Sequence, residues 1–304
     1  MLASDGTRDG IYSDSTRDGI DFGKTGKSKS RVLGPAVSSS FIDLTTLAPS
    51  VSSSSVEWTA LDLTVDEVFS RDPSPDIVAR GFNIEITVAM IQRLNGRRKL
   101  NDEIINFYFG MIAQRSAKKN KKVFAFTTYF MAKLYLDNDQ YEYAAVSSWS
   151  KNFNPFELDK LFIPIHLPNH WTFIIVYFET KVINYCDSMH GDGKPYTQVI
   201  LRWLGDEFRI RQPEIPFNGA EWQTKDIRES PSQSGNGTCC GVFAVMSADY
   251  LSNDIPLSAS IFGLGDIPDF RRKIAADIIR GYLDAPSGLL GNDDQGTSIC
   301  LLYI

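Results

Sequence analysis

The sequence predicts a domain of mixed helices and strands, and three observations lead to this prediction. Segments rich in β-branched and aromatic residues follow one another over residues 160–187, which is typical of consecutive strands. Apolar residues at helical spacing precede them over 100–119 and follow them over 240–252. Of the 304 residues, 43% are hydrophobic, so the chain can build a sizeable packed core.

Composition divides the chain into three parts. Residues 1–56 are poor in aromatics, rich in Ser, Thr, Gly and Asp, and carry an imperfect repeat, "SDGTRDGI" then "SDSTRDGI". This composition buries too little apolar surface to offset chain entropy, so we predict a disordered segment. Residues 57–283 are predicted to form the folded domain. Residues 284–304, which include Cys300, are predicted to be a loose tail.

The first elements of the domain are predicted to be helical. Short helical pieces broken by two prolines are expected over 66–82, and a short helix over 86–94. A longer helix over 100–119 has Asn101 or Asp102 as its N-cap and acidic residues in its first turn. The aromatic segment 122–135 fits a strand and a helix equally well.

The later elements give clearer patterns. Strands are predicted over 160–167, 170–178 and 181–187, with a tight hairpin joining the last two. Helices are predicted over 196–210, 240–252 and 269–283.

Charge, hydropathy and cysteine content limit the classes of partner. The net charge of -6 argues against nucleic acid and anionic membranes as main partners, and no run of 18 apolar residues is present. The four cysteines form no CxxC pair and no disulfide-dense spacing, which favours a reducing intracellular setting. The same lack of paired ligand spacing argues against a metal site. We expect a monomer.

The hairpin brings a histidine and a carboxylate within reach of each other. If its turn centres on Thr180, facing residues have numbers that sum to about 360. His170 then lies at the open end of the hairpin, with Asp187 about three positions from facing it. A carboxylate in this place would fix the imidazole tautomer and stabilise the imidazolium form.

A candidate nucleophile stands at the start of a helix. Cys240 is placed in the first turn of the 240–252 helix, where free N–H groups and the helix dipole favour a thiolate. Gln233 lies just upstream and carries an amide donor suited to an oxyanion hole. From these residues alone a purely structural role stays open, since a cysteine before an apolar helix is usually a small core residue.

Four motifs in collinear order resemble one known family. "KLNDEIINFYF", "FIPIHLPNHWTFIIVYF", "INYCDSM" and "NGTCCGVFAVMSADYL" are similar to the SUMO-specific proteases, also called sentrin-specific or ubiquitin-like-protein-specific cysteine proteases. The resemblance covers about residues 75–283. It implies an α+β, papain-like cysteine protease fold of the ubiquitin-like-protease type, with the triad in the order His, Asp, Cys.

The resemblance implies a role for each candidate residue. His170 is the general base and acid, Asp187 its orienting carboxylate and Cys240 the nucleophile, because the family motif places Cys directly before Gly. Gln233 is the oxyanion donor. Cys239 is then the flanking residue.

Substrate-binding residues are implied in the same way. Trp171 matches the tryptophan that covers the Gly-Gly tail of the modifier in a narrow tunnel. Asp102, Lys99 and Trp149 complete the set of expected substrate-binding residues. His166 is expected to be a structural histidine of the core.

The chain departs from the family pattern at three places. Lys99 stands where the family normally has Trp, and Cys239 stands where it usually has Asp. The oxyanion glutamine usually lies six residues before the nucleophile, at the position of Ser234, whereas Gln233 lies seven before it.

The implied activity is that of a thiol protease or isopeptidase. It would cleave after the C-terminal Gly-Gly of a ubiquitin-like modifier, with SUMO favoured, in deconjugation or precursor processing. The partners are the modifier and its conjugated target proteins, no metal or organic cofactor is implied, and the location is the nucleus and/or cytoplasm. Three alternatives remain: a NEDD8- or ubiquitin-directed protease of the same fold, an acyltransferase of the related clan, and a modifier-binding pseudoprotease.

Overall fold

The structure is a computed structural model that describes residues 64–137 and 139–284. The predictions for residues 1–56, and for the tail beyond residue 284 with Cys300, lie outside the described residues and stay predictions. None of the helices in the described ranges is both long and apolar enough to cross a membrane.

The first elements form a small hairpin between short helices. They are α1 (Val65–Ser70), β1 (Ile77–Gly81), β2 (Ile84–Thr87) and α2 (Val88–Ile91), and α2 continues as a 3-10 turn, Gln92–Leu94. The helical prediction for residues 66–82 is therefore wrong beyond residue 70, and that for 86–94 is wrong in its first two residues. Phe82 and Asn83 both have positive φ (54° and 57°) and close an antiparallel two-residue turn without any glycine, so the usual signal of a hairpin is missing.

A mixed five-stranded sheet forms the centre of the domain. Helix α3 (Asp102–Lys118) precedes its first strand, β3 (Val123–Ala125). The remaining strands are β4 (Lys160–Leu167), β5 (His170–Tyr177), β6 (Val182–Cys186) and β7 (Gln223–Asp226). The order is β3-β4-β5-β6-β7, with β4, β5 and β6 antiparallel and both outer strands parallel to their neighbours.

The predicted strands agree closely with β4, β5 and β6, whereas β7 was not predicted. The sequence of β7 is Gln-Thr-Lys-Asp, and none of its residues is buried. An exposed polar edge strand carries no alternating apolar pattern, so no local pattern indicates a strand here. The ambiguous segment 122–135 contains both structures: β3 is followed by α4 (Tyr129–Met131), which continues into a π-helical turn, Ala132–Leu136.

The remaining helices cover the two faces of the sheet. They are α5 (Tyr143–Val146), α6 (Lys194–Arg211), α7 (Cys240–Ser252) and α8 (Ile267–Arg280). Alternate residues of β4 and β5 enter two separate hydrophobic clusters, one with α3, α7 and α8 and the other with α4 and α6. All 13 residues of α7 are buried, so this helix lies inside the domain.

The register of β5 and β6 sets the position of the site. Phe173 pairs with Cys186, so facing residues have numbers that sum to 359, close to the predicted 360. His170 begins β5 and Asp187 directly follows β6, which places both at the same end of the sheet. Helix α7 packs against β5 and begins with Cys240.

Candidate active site

A buried carboxylate holds the imidazole of His170. Asp187 Oδ1 lies 2.6 Å from His170 Nε2, and the two side chains are 5% and 14% exposed. The N–H groups of Met189 and Gly191 donate to the same carboxylate at 2.8 and 3.0 Å. Burial alone raises the pKa of Asp187, but these hydrogen bonds and the charge of His170 bring it below its usual value.

The other side of the imidazole meets the thiol of Cys240. Because Nε2 is engaged by Asp187, Nδ1 is the nitrogen left for the hydrogen bond between His170 and Cys240. Burial raises the pKa of the Cys240 thiol, but the bond to His170 and backbone N–H groups of Trp171 and Gly241 outweigh it and lower that pKa. Cys240 is also the first residue of α7, where the helix dipole favours an anion.

The imidazole is basic in the same arrangement. Burial alone lowers the pKa of His170, but the hydrogen bonds and charges of Asp187 and Cys240 raise it to about 9. The lowered pKa of Cys240 and the raised pKa of His170 both favour a thiolate beside an imidazolium. This charge pair is the reactive form of a nucleophilic cysteine.

The other two described cysteines differ from Cys240. Burial, followed by the negative charge of Cys240, raises the pKa of Cys239 to about 11. Burial raises the pKa of Cys186 to about 12. Both are free, buried thiols, so of the cysteines in the described part of the chain only Cys240 has a lowered pKa.

Gln233 is held beside the turn that carries Asp187. Its Oε1 accepts a hydrogen bond from the Ser188 hydroxyl at 2.7 Å, and its backbone N–H donates to the Ser188 carbonyl at 3.0 Å. Its Nε2 donates to the carbonyl of Asn236 at 2.7 Å. An amide nitrogen has two hydrogens, so one N–H of Gln233 remains after this bond. Sequence reasoning missed Ser188, and the only available signal was its position directly after Asp187.

Three of the expected substrate-binding residues line one cavity of about 810 Å³. They are Lys99, Asp102 and Trp171. The indole N–H of Trp171 donates to the carbonyl of Leu100 at 3.0 Å, and Lys99 Nζ donates to the carbonyl of Asn169 at 2.9 Å. Residues before α3 are therefore joined to the β4–β5 turn and to the start of β5 beside this cavity.

Trp149 and His166 differ from their expected positions. Trp149 packs against Phe126 and Phe130, with ring centroids 6.0 and 5.6 Å apart, in the cluster on the other face of the sheet. The expectation that His166 belongs to the core is wrong, since its side chain is 46% exposed. It lies near the end of β4, beyond the core, and stacks on Trp171 at 3.9 Å.

The charged groups of the site do not form a metal centre. No group of three or more His, Cys, Asp or Glu side chains with metal-binding geometry occurs within residues 64–137 and 139–284. An imidazole between a buried carboxylate and a thiol at a helix start is instead the arrangement found in cysteine proteases.

The comparison with family models agrees with this class. Residues 98–284 match the model described as the Ulp1 protease family, C-terminal catalytic domain. The chain belongs to this family, and the resemblance predicted from its motifs is confirmed. The α+β fold expected from that resemblance is confirmed as well.

Relatives and solved structures support the same assignment. Sentrin-specific protease 2 of Homo sapiens is 31% identical over 226 residues, which are 73% of this chain and 37% of that protein. Ubiquitin-like-specific protease 1A of Arabidopsis thaliana is 30% identical over 227 residues, 72% of this chain and 44% of that protein. The chain thus spans less than half the length of these relatives. The C-terminal Ulp1 protease domain in complex with Smt3, the yeast orthologue of SUMO, is 28% identical with a TM-score of 0.56, covering 70% of this chain and 91% of that one.

Proposed function

We propose that this chain is a thiol isopeptidase that cleaves after the C-terminal Gly-Gly of a ubiquitin-like modifier, with SUMO as the first candidate. The observation that carries the proposal is the alignment of Cys240, His170 and Asp187 at one end of the sheet. The sentrin-specific relatives and the Ulp1 domain bound to Smt3 support SUMO as the modifier. The substrates are the modifier precursor and proteins conjugated to the modifier.

Attack begins from the charge pair of the resting site. The Cys240 thiolate adds to the carbonyl carbon of the terminal glycine, and the carbonyl electrons move onto its oxygen. The Gln233 amide and the backbone N–H of Cys240 donate to this oxyanion. The His170 imidazolium gives its proton to the leaving amine as the carbon–nitrogen bond breaks, which leaves a thioester on Cys240.

Hydrolysis of the thioester restores the site. Neutral His170 takes a proton from water, and the water oxygen attacks the thioester carbonyl. The Cys240 thiolate leaves, and the modifier departs with a C-terminal carboxyl group, which loses its remaining proton to the solvent. Asp187 holds the imidazole orientation through both steps and stabilises each imidazolium state.

A panel of electrophilic probes tests this proposal. SUMO, NEDD8 and ubiquitin, each with a C-terminal electrophile in place of the scissile bond, are incubated with the protein and with Cys240→Ala. Covalent capture of the wild type by the SUMO probe, lost in Cys240→Ala, is the expected result. Capture by NEDD8 or ubiquitin alone would contradict SUMO as the modifier. Binding of SUMO without capture would indicate a pseudoprotease, and no interaction with any probe would favour the acyltransferase alternative.

We also propose that the protein acts inside the cell, in the nucleus and/or the cytoplasm. Support comes from the state of the cysteines, because free thiols are typical of reducing, intracellular compartments and disulfides of oxidising ones. The three cysteines in the described part of the chain are all free thiols. Imaging of the tagged full chain in its own cells tests the compartment, and an extracellular signal would contradict the proposal.

A further inference from the structure

Arg271 lies behind the active site and contacts two of the segments that build it. It is on α8 and is 3% exposed. Its guanidinium donates to the carbonyls of Arg93 and Arg98 at 2.9 and 2.8 Å, and to the carbonyl of Thr238 at 3.2 Å. The first two carbonyls belong to the segment that ends at Lys99, and the third belongs to the loop that ends at Cys240. One side chain therefore bridges both segments.

The charge of Arg271 has no carboxylate partner among residues 64–137 and 139–284. Its neighbour Arg272 is half exposed and pairs with Asp66 at 2.8 Å, but none of the ion pairs there includes Arg271. Burial lowers the pKa of Arg271, and electrostatic interactions with the neighbouring Cys239 and Cys240 side chains oppose this effect. A buried cation without a counter-ion is costly. Its guanidinium binds the carbonyl of Thr238, two residues before Cys240, so a thiolate on Cys240 is electrostatically favourable to both groups.

The bridged segments meet at the reacting atoms. Leu100 follows Lys99, and its carbonyl holds the indole of Trp171. The side chain of Leu100 also packs against the start of α7, since a Cβ added at Gly241 would lie 3.0 Å from Leu100 Cβ. A shift of the segment 93–98 relative to Thr238 would therefore move Trp171 and Cys240 relative to each other.

We propose that Arg271 is a positioning residue for the reaction. It fixes the loop before Cys240 against the segment that ends at Lys99, and its positive charge favours the Cys240 thiolate. The expected effect of Arg271 on turnover rests on the proposed function. Its effect on the thiolate is independent of the substrate. The planar fork of Arg reaches three carbonyls at once, which the single ammonium of Lys cannot reproduce.

Two substitutions separate the two parts of this role. Arg271→Met removes both the hydrogen bonds and the charge, whereas Arg271→Lys keeps the charge and loses the fork. Arg272→Met is the matched control, since Arg272 is adjacent, cationic and half exposed. For each variant, kcat and KM are measured on a SUMO–Gly-Gly substrate. The rate of Cys240 alkylation by iodoacetamide is measured against pH, with peptide mass spectrometry to identify the modified cysteine.

Arg271→Met is expected to lower kcat about 100-fold, the effect of a misplacement of ~1 Å at a reacting centre. It is also expected to move the midpoint of Cys240 alkylation to higher pH. Arg271→Lys is expected to lower kcat about tenfold, through lost hydrogen bonds, with the alkylation midpoint unchanged. Arg272→Met is expected to match the wild type in both measurements.

The rate of Cys240 alkylation against pH, normalised to the amount of folded protein, distinguishes a positioning role from a merely structural one. The proposal is overturned if Arg271→Met keeps the wild-type kcat, or if it loses activity only in proportion to its folded fraction with an unchanged profile. If Arg271→Met does not fold, Arg271→Lys decides, and an unchanged kcat overturns the proposal. A shifted profile in a protein that does not cleave SUMO would contradict the substrate assignment and support the role of Arg271.

Discussion

The hydroxyl of Ser188 donates a hydrogen bond to Oε1 of Gln233 at 2.7 Å, and both side chains are buried. The carbonyl of Asn236 can only accept, and it receives a hydrogen bond from Nε2 of Gln233 at 2.7 Å, so this bond identifies the nitrogen end of the amide, which supplies the donors. Ser188 directly follows Asp187, whose carboxylate holds His170. One turn after β6 therefore orients both the imidazole and the candidate oxyanion donor.

We expect Ser188→Ala to lower kcat about tenfold with little change in KM. Without the hydroxyl, the amide of Gln233 loses one of the two hydrogen bonds that set its orientation, and oxyanion stabilisation acts mainly in the transition state. Steady-state kinetics of Ser188→Ala, Gln233→Ala and the double variant form the test. In the Gln233→Ala background the serine substitution is expected to have almost no further effect. Additive losses would show that Ser188 acts by another route.

The two adjacent cysteines are expected to respond differently to substitution. Cys240→Ser should abolish turnover, because its sulfur is the one with a lowered pKa at the start of α7. Cys239→Ser should retain most activity, because burial raises the pKa of Cys239 and keeps it a neutral thiol. Turnover of a modifier substrate by both purified variants is the measurement. An inactive, folded Cys239→Ser beside an active Cys240→Ser would reverse the assignment.

The pH profile of kcat/KM is expected to be bell-shaped. Activity falls at low pH as Cys240, whose pKa is lowered, becomes protonated. It falls at high pH as His170, whose pKa is raised to about 9, loses the proton that the leaving amine requires. The apparent pKa values of the two limbs belong to the coupled pair of Cys240 and His170 and not to either residue alone.

Asp187→Asn provides the control for this profile. The carboxylate is a main cause of the raised pKa of His170, so its loss should move the alkaline limb to lower pH and reduce the rate. An alkaline limb that stays in place in a folded Asp187→Asn would show that another group titrates there.

We expect Lys99→Trp to raise the catalytic efficiency toward a SUMO–Gly-Gly substrate. Lys99 lines the cavity beside Trp171 with a methylene stem, and its ammonium is bound to the carbonyl of Asn169. Trp would supply a flat apolar wall and align the tail better with Cys240. Lys99→Met is the matched control, since it removes the ammonium without adding a ring. An unchanged or lower kcat/KM for a folded Lys99→Trp would contradict the prediction.

The parts of the fold that local patterns determine could be predicted from the sequence. Strands β4 to β6 are dense in β-forming residues, and the short β5–β6 connection fixes their register, which brings His170 near Asp187. Strand β7 is polar and exposed, so its pairing depends on distant residues. The contacts of Arg271 could not be predicted either. Its partners are backbone carbonyls, which every residue has, so no residue type in the sequence indicates them.

The complete burial of α7 bears on how the chain acquires its chemistry during synthesis. A helix with every residue buried gains most of its stability from its packing partners and little by itself. Before α7 docks on β5, Cys240 lacks the hydrogen bond to His170 and the N–H group of Trp171, so nothing there lowers the pKa of its thiol. The lowered pKa of the nucleophile is thus a product of tertiary packing and cannot precede the docking of α7.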